Sequence, residues 1–403
     1  MISAAEAWQT VLAHAARLET VRSPLAGALG RILRADARAD ADSPPFDASA
    51  MDGYALRRAD IAQRLRVVGE AQAGAGFADP VGVGECARIF TGAPVPAGAD
   101  CVVKQEDVVR EGATAGAAAP GAIRVQRRDG PDFIRRRGEN HHRGDVIVPA
   151  GTRLGPPELA ALATAGVHQP EVARAPRCAH LVTGNELVAP DRAPTGAQIR
   201  DSNSTLIAAL LQRHGAELVG QARTRDDPVT ARGMIEAWPA HDVLLLSGGA
   251  SVGDHDIARP LLAALGYTLH FHAVNLRPGK PLMFASRGAQ LAFAVPGNPV
   301  SHWVVFQLFI APLLEHLQTG ASPPPVQLTG RLAADSRLPP PDARQTFWPC
   351  RARIAGGGYE LSPLPLASSG DSSGLVGANA LLPVPSPPAS LATGQTVDFI
   401  LCP

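Results

Sequence analysis

Residues 243–256 read VLLLSGGASVGDHD. The apolar run stops at Ser247 and two glycines follow, so a buried strand over 242–247 gives way to bare backbone. A small-residue loop then holds Ser251 and Gly253, and Asp254 and Asp256 stand on either side of His255. The chain alternates around this stretch. Strands are predicted at 178–183, 217–224 and near 267–274, and helices at 202–214 (behind Asp201 as a cap), 228–238, 256–265 and 300–317. Two apolar segments, 281–285 and 291–295, flank SRGAQ. Such alternation specifies an α/β domain with a mainly parallel sheet and helices on both faces. Ligands of that architecture sit beyond the C-terminal ends of the strands, which is where residues 247–253 fall.

The flanking chain has a different texture. Ser3 and Glu6 form a capping box ahead of a helix to about Leu18. Short β-like runs at 65–68, 86–90, 101–104, 123–125 and 145–148 lie between Gly, Pro and Ala turns, and GPPELAALATAGV (155–167) is a short helix opened by proline. TGASPPPVQ (319–327) is a linker, and the proline-rich remainder is a small β domain. No fixed-period repeat is present. A chain of 403 residues exceeds one ordinary core, so several domains are expected. Formal net charge is zero, with neither the basic excess of a nucleic-acid binder nor an acidic tail. The longest apolar runs fall short of a membrane span, and the opening residues lack a basic n-region and a continuous apolar stretch. Five cysteines without metal-type spacing fit reduced thiols, so a cytoplasmic location is expected.

Several loops carry candidate chemistry. Gly248 and Gly249 let backbone N–H groups turn toward an anion, and the helix that follows adds its positive end. Asp254 and Asp256 would repel a phosphate unless a divalent cation such as magnesium stood between. The competing reading is a plain strand-to-helix turn capped by one of these aspartates. NLRPGKPLMF (275–284) aims Arg277 and Lys280 from a turn stiffened by proline. VPGNPVSHW (295–303) bares N–H groups between Pro296 and Pro299. TGNEL ends a strand with Gly184, Asn185 and Glu186. RDDP offers Asp226 and Asp227, the latter equally placed to cap a helix. Of 37 basic residues only Lys104 and Lys280 are lysine, and both lie inside such strings.

Taken in order, FDASAMDGYAL, IFTGAPVPAGADCVV, IRRRGEN, TGNEL, SGGASVGDHD, RPGKP and VPGNPVS resemble the molybdopterin molybdenumtransferase family, which includes the bacterial MoeA proteins and the gephyrin E domain. The resemblance runs from about residue 3 to 400. It implies an elongated, dimerising subunit of four domains: 1–46 with 146–173, a β-rich domain at 47–145, an α/β domain at 174–320 similar to the molybdopterin adenylyltransferases, and a C-terminal β domain at 321–403. It also implies the reaction: adenylated molybdopterin and molybdate are taken, molybdenum enters the dithiolene and AMP leaves, with Mg2+ as the metal.

Residue by residue, the resemblance gives Asp256 as first metal ligand, with Asp227 and Glu186. It places Asp52 and Thr91 on the second domain's side of a site shared between subunits. Arg277, Lys280, Pro296 and Pro299 match the molybdate-side loops, and Ser369 in ASSGDSSGLVGANAL falls near a C-terminal serine. Gly248, Gly249, Ser251 and Gly253 form the substrate loop. The implied partners are the adenylyltransferase upstream and acceptor molybdoenzymes downstream, with no nucleic acid and no membrane. Asn140 and Asn185 stand where the family commonly has aspartate, which keeps an acceptor and loses a charge. An adenylyltransferase of the same fold would be the α/β domain alone, and a non-catalytic scaffold would have no need of the acids and Lys280.

Overall fold

The structure, a computed structural model, describes residues 1–112, 121–249, 257–321, 326–333, 342–384 and 391–402. Contacts divide it into two compact units. One comprises Met1–Val21, Gly30–Ile32 and Val172–Pro403, the other Arg22–Leu29 and Leu33–Glu171.

The first unit is organised by a six-stranded sheet, in the order Glu217–Thr224, Arg177–Thr183, Val243–Ser247, Gln290–Val295, Met283–Arg287, Thr268–Phe271. The first four strands run parallel. Met283–Arg287 is antiparallel to both its neighbours, so the two apolar segments around SRGAQ make a hairpin. Val243–Ser247 is buried at every position, and cover on both faces of the sheet explains why all its side chains before Ser247 are apolar. Val243 and Leu245 pack beneath the helices Asn203–Arg213 and Pro299–Val305 with Phe293 and Phe306. Leu244 and Leu246 face Ile235 and Leu261 on the other side. The N-terminal helix Ala4–His14, with the Ser3 and Glu6 capping box in place, adds Ala7 and Val11 to the first of these cores.

The long helix expected at 300–317 is continuous but not uniform: Pro299–Val305, a π-helical turn Phe306–Ile310, then Ala311–Thr319. By length and composition it would suffice to cross a membrane. It is instead 78% buried within the core of the unit.

Beyond it, five strands close on themselves into a small barrel, Gln345–Ala355, Gly358–Pro363, Gln327–Leu332, Thr396–Leu401 and Ala380–Val384, the last pairing back to the first. Closure removes exposed strand edges. One edge strand joins from outside: Leu276–Arg277 pairs in parallel with Gln345 and Thr346.

The second unit is built on a six-stranded sheet, Cys101–Lys104, Gly53–Leu56, Glu85–Ile89, Arg64–Ala71, Ala122–Val125, Val108–Glu111. All its pairings are antiparallel except Arg64–Ala71 with Glu85–Ile89. Pro156–Thr164 is the proline-opened helix, with Glu158 turned back onto the Gly155 N–H.

The first unit's core sets a measurable expectation. Phe293 is fully buried, its ring 5.1 Å from that of Phe284. Phe293→Ala removes those contacts and leaves a cavity, and should cost about 3–5 kcal/mol. A lowered urea midpoint with unchanged secondary structure by circular dichroism is the expected result.

Candidate active site

Four strand ends meet on one edge of the central sheet. The Gly184 N–H donates to the Thr224 carbonyl at 3.2 Å and the Gly248 N–H to the Val295 carbonyl at 3.2 Å. The Asp226 N–H donates to Asn185 Oδ1 at 3.4 Å, and Asn203 Nδ2 donates to the Gly297 carbonyl at 2.7 Å. Gly248 has φ +85°, and a Cβ there would lie 2.3 Å from the Thr183 carbonyl oxygen. Only glycine allows this turn to close over the neighbouring strand end. The Gly turn, TGNEL, RDDP and VPGNP are therefore one interlocked surface of backbone.

The acids on this edge are placed unequally. Asp227 caps the helix Pro228–Glu236, Oδ1 accepting from the Val229 N–H at 3.2 Å and Oδ2 from the Thr230 N–H and hydroxyl. The Thr230 hydroxyl, then the Val229 amide, hold its carboxyl below the usual range, so it stays ionised while capping. Asn185 and Glu186 are exposed beside it. Ser251, Gly253, Asp254, His255 and Asp256 lie outside the described residues. Among the described residues no group of three or more acids, histidines or cysteines is arranged to hold a metal ion.

A cavity of about 420 Å³ opens beside this edge and against the barrel, lined by Arg277, Lys280, Pro296, Asn298, Arg344 and Ser369 among others. The parallel pairing of Arg277 with Thr346 sets Arg277 beside Arg344. Both hold Asp342: Arg344 through Nε at 2.8 Å and Nη2 at 2.7 Å, Arg277 through Nη1 at 3.5 Å. Arg344, foremost, keeps the Asp342 carboxyl well below its ordinary range. With Lys280 exposed on the same wall, three cations face one carboxylate, and the cavity favours an anion.

Gly279, between Arg277 and Lys280, has φ +113°, and a Cβ there would lie 2.9 Å from the Val305 side chain and 3.0 Å from that of Leu276. Asn298 Nδ2 donates to Ser369 Oγ at 2.7 Å, and the Val300 N–H to the Ser369 carbonyl at 3.1 Å. Ser369 thus joins the VPGNP loop. Pro299 instead opens the helix behind the loop, and lines a neighbouring cavity with Trp303 and Leu206. Arg344 and Trp348 went unread in the sequence, because nothing local in DARQTFWP marks them; only the strand pairing brings them here.

In the second unit, Asp52 Oδ1 accepts from both the Thr91 N–H and its hydroxyl, each at 2.8 Å. The Thr91 amide, first, lowers the Asp52 carboxyl, and both residues are exposed. Lys104 lies over the Phe133 ring, Nζ 4.7 Å from its centroid. The arginines of IRRRGEN are paired within the unit: Arg136 with Asp47 at 2.8 Å and Arg137 with Asp42 at 2.6 Å. Asn140 uses both ends of its amide, accepting from Arg135 and donating to Ser43.

Three family models match in order: the MoeA N-terminal region (domains I and II) over residues 2–166, a probable molybdopterin binding domain over 179–316, and the MoeA C-terminal region (domain IV) over 331–402. A molybdopterin molybdenumtransferase of Nostoc sp. is 33% identical over 387 residues, 93% of this chain and 87% of that one. The chain belongs to the molybdopterin molybdenumtransferase family. A second member, from Synechococcus elongatus, is 36% identical over 88% of this chain and 89% of its own. Crystal structures of the molybdopterin biosynthesis MoeA protein of Pyrococcus horikoshii align over the whole of this chain with TM-scores of 0.80 and 0.74, at 28% and 27% identity. The family fold is thus present throughout, with the anion-favouring cavity between its α/β domain and its C-terminal barrel.

Beneath the sheet edge His180 and His302 are buried, and burial pushes them down to about 3 and about 4 from 6.5. The unfolded chain takes up these protons near pH 6.5 and the folded chain only near pH 3–4, so stability falls as pH drops from 6.5 toward 4. Each histidine contributes a slope of up to about 1.4 kcal/mol per pH unit. Thermal midpoints measured between pH 7.5 and 4.5 should be level above about 6.5 and fall below it. His302→Gln should show a shallower fall from a lower starting point.

Proposed function

We propose that this chain inserts molybdenum from molybdate into the dithiolene of adenylated molybdopterin and releases AMP. The observation that carries this reading is the cationic cavity of Arg277, Lys280 and Arg344 beside the interlocked strand ends. Molybdate is a small dianion, and it suits a cavity where Arg277 and Arg344 are already oriented by Asp342 and Lys280 adds a point charge. The adenylate brings phosphates, toward which the Gly249 N–H, just past the Gly248 turn, is the proposed donor. The members named above as molybdopterin molybdenumtransferases support the same reading.

Asp227 and Glu186, at this edge, offer hard carboxylate oxygens of the kind that magnesium takes. Asp256, with Asp227 and Glu186, would hold it, and its charge would offset that developing on the cleaved phosphoanhydride. The chain's own residues bind and orient: Asn298 and Ser369 fix the cavity's loop, and Asp227 stays ionised while capping its helix. Asp52 and Thr91, with nothing else of this site in their unit, are proposed to serve the partner subunit's site in a homodimer. The working location is proposed as the cytoplasm.

The test is AMP release from molybdopterin-AMP, with molybdate and magnesium each omitted in turn; the reading requires both. Lys280→Ala should weaken the molybdate-dependent step about 10- to 100-fold, from the loss of one charge-assisted hydrogen bond, and Lys280→Arg should recover only part. Wild-type rates in both variants would remove Lys280 from the site.

Subunit sharing has its own test. Asp52→Ala and Asp256→Ala chains, each inactive alone, should regain activity when mixed as heterodimers. A fully active monomer would exclude a shared site.

A further inference from the structure

A polar line lies buried beneath the strand ends. Alternation along Val243–Ser247 puts Ser247 on the same face as Val243 and Leu245. His180, two residues on from Cys178 in the adjacent strand, falls on that face too, and His302 reaches it from the helix Pro299–Val305. His180 is 0% exposed, and Ser247 and His302 are each 1% exposed. His180 Nε2 and His302 Nε2 each lie 2.6 Å from Ser247 Oγ.

The two ends of the line set the direction of every bond in it. Gln221 Nε2 donates to the Ser204 carbonyl at 2.9 Å, so it is the amide nitrogen that meets His180 Nδ1 at 3.1 Å. His180 Nδ1 therefore accepts, and its proton is on Nε2. At the other end His302 Nδ1 faces the Asn298 carbonyl at 3.2 Å, which only accepts, so His302 carries its proton on Nδ1. Ser247 then accepts from His180 and donates to His302. A second proton on His180 would point at the Gln221 amide, and one on His302 would displace the Ser247 hydroxyl hydrogen. Asp201 is the acid that acts on His302, and Arg223 lies 3.8 Å from it. The line joins Ser247, which precedes the Gly248 turn, to Asn298, whose side chain holds Ser369 at the cationic cavity.

We infer that Ser247, His180 and His302 are positioning residues that hold the Gly248 turn and the 296–299 loop in one register for oxyanion binding. The inference rests on the reading of that cavity as an oxyanion site, and no group in the line touches the ligand itself.

Two measurements test it. The first is imidazole 15N NMR on the wild-type protein from pH 5.5 to 7.5. His180 should show the Nε2–H tautomer and His302 the Nδ1–H tautomer, neither titrating in that range; a shared tautomer, or titration of either, overturns the line. The second is calorimetric binding of molybdate to wild type, Ser247→Ala, Ser247→Thr and His302→Gln. Ser247→Ala and His302→Gln should bind about tenfold more weakly. Ser247→Thr keeps the hydroxyl and should bind within about twofold of wild type. A folded Ser247→Ala or His302→Gln protein that binds as wild type, even if less stable, reduces the line to core structure and overturns the positioning role. Absence of molybdate binding by wild type itself would instead refute the oxyanion reading of the cavity, and would leave the tautomer result standing.

Discussion

The close approach of one strand end to the next, at Gly248 over the Thr183 carbonyl, is the constraint on which the rest of the site depends. It is possible because Val243–Ser247 is covered on both faces and so has little freedom to tilt away. With that strand fixed, Gly248 closes onto Val295, and the loop after Val295 is drawn in with it. The anion-favouring surface is therefore a product of core packing, and the loops follow from it.

Polar groups are used sparingly and in matched sets. Asp342 serves two arginines at once, which orients both and leaves the cavity with a surplus of positive charge. Asp52 serves Thr91 twice through one oxygen. Asn140 and Asn185 each use the side-chain amide in hydrogen bonds that hold a loop.

Much of this was legible in the sequence. Glu217–Thr224 and Cys101–Lys104 were read to the residue, and the α/β alternation, the capping box and the proline-opened helix were all visible. These are signals of local chemistry and periodicity, which act within a few residues. The antiparallel turn of Met283–Arg287 was not visible, since pairing direction is decided between segments. The π-helical turn at Phe306 lies in a largely apolar stretch whose pattern looks the same either way. Arg344 became a site residue only through the pairing of two segments far apart in the chain. The pairing of the hydroxyl and imidazoles under the sheet edge was not visible, because the partners come from three separate elements. Asp227 kept both of its readings, as a cap by observation and as a metal ligand by proposal.

The edge strand Leu276–Arg277 bears on how the chain can be divided. It belongs by sequence to the α/β domain and by hydrogen bonding to the barrel. A chain ending before the barrel would lose Arg344, Ser369 and the partner of this strand together, and Arg277 would lose the carboxylate that orients it. The α/β domain, although it has a complete sheet and its own core, is therefore not a portable module for the cavity's chemistry. Gene fusions or fragments that treat it as one would keep the fold and discard half of the cavity wall.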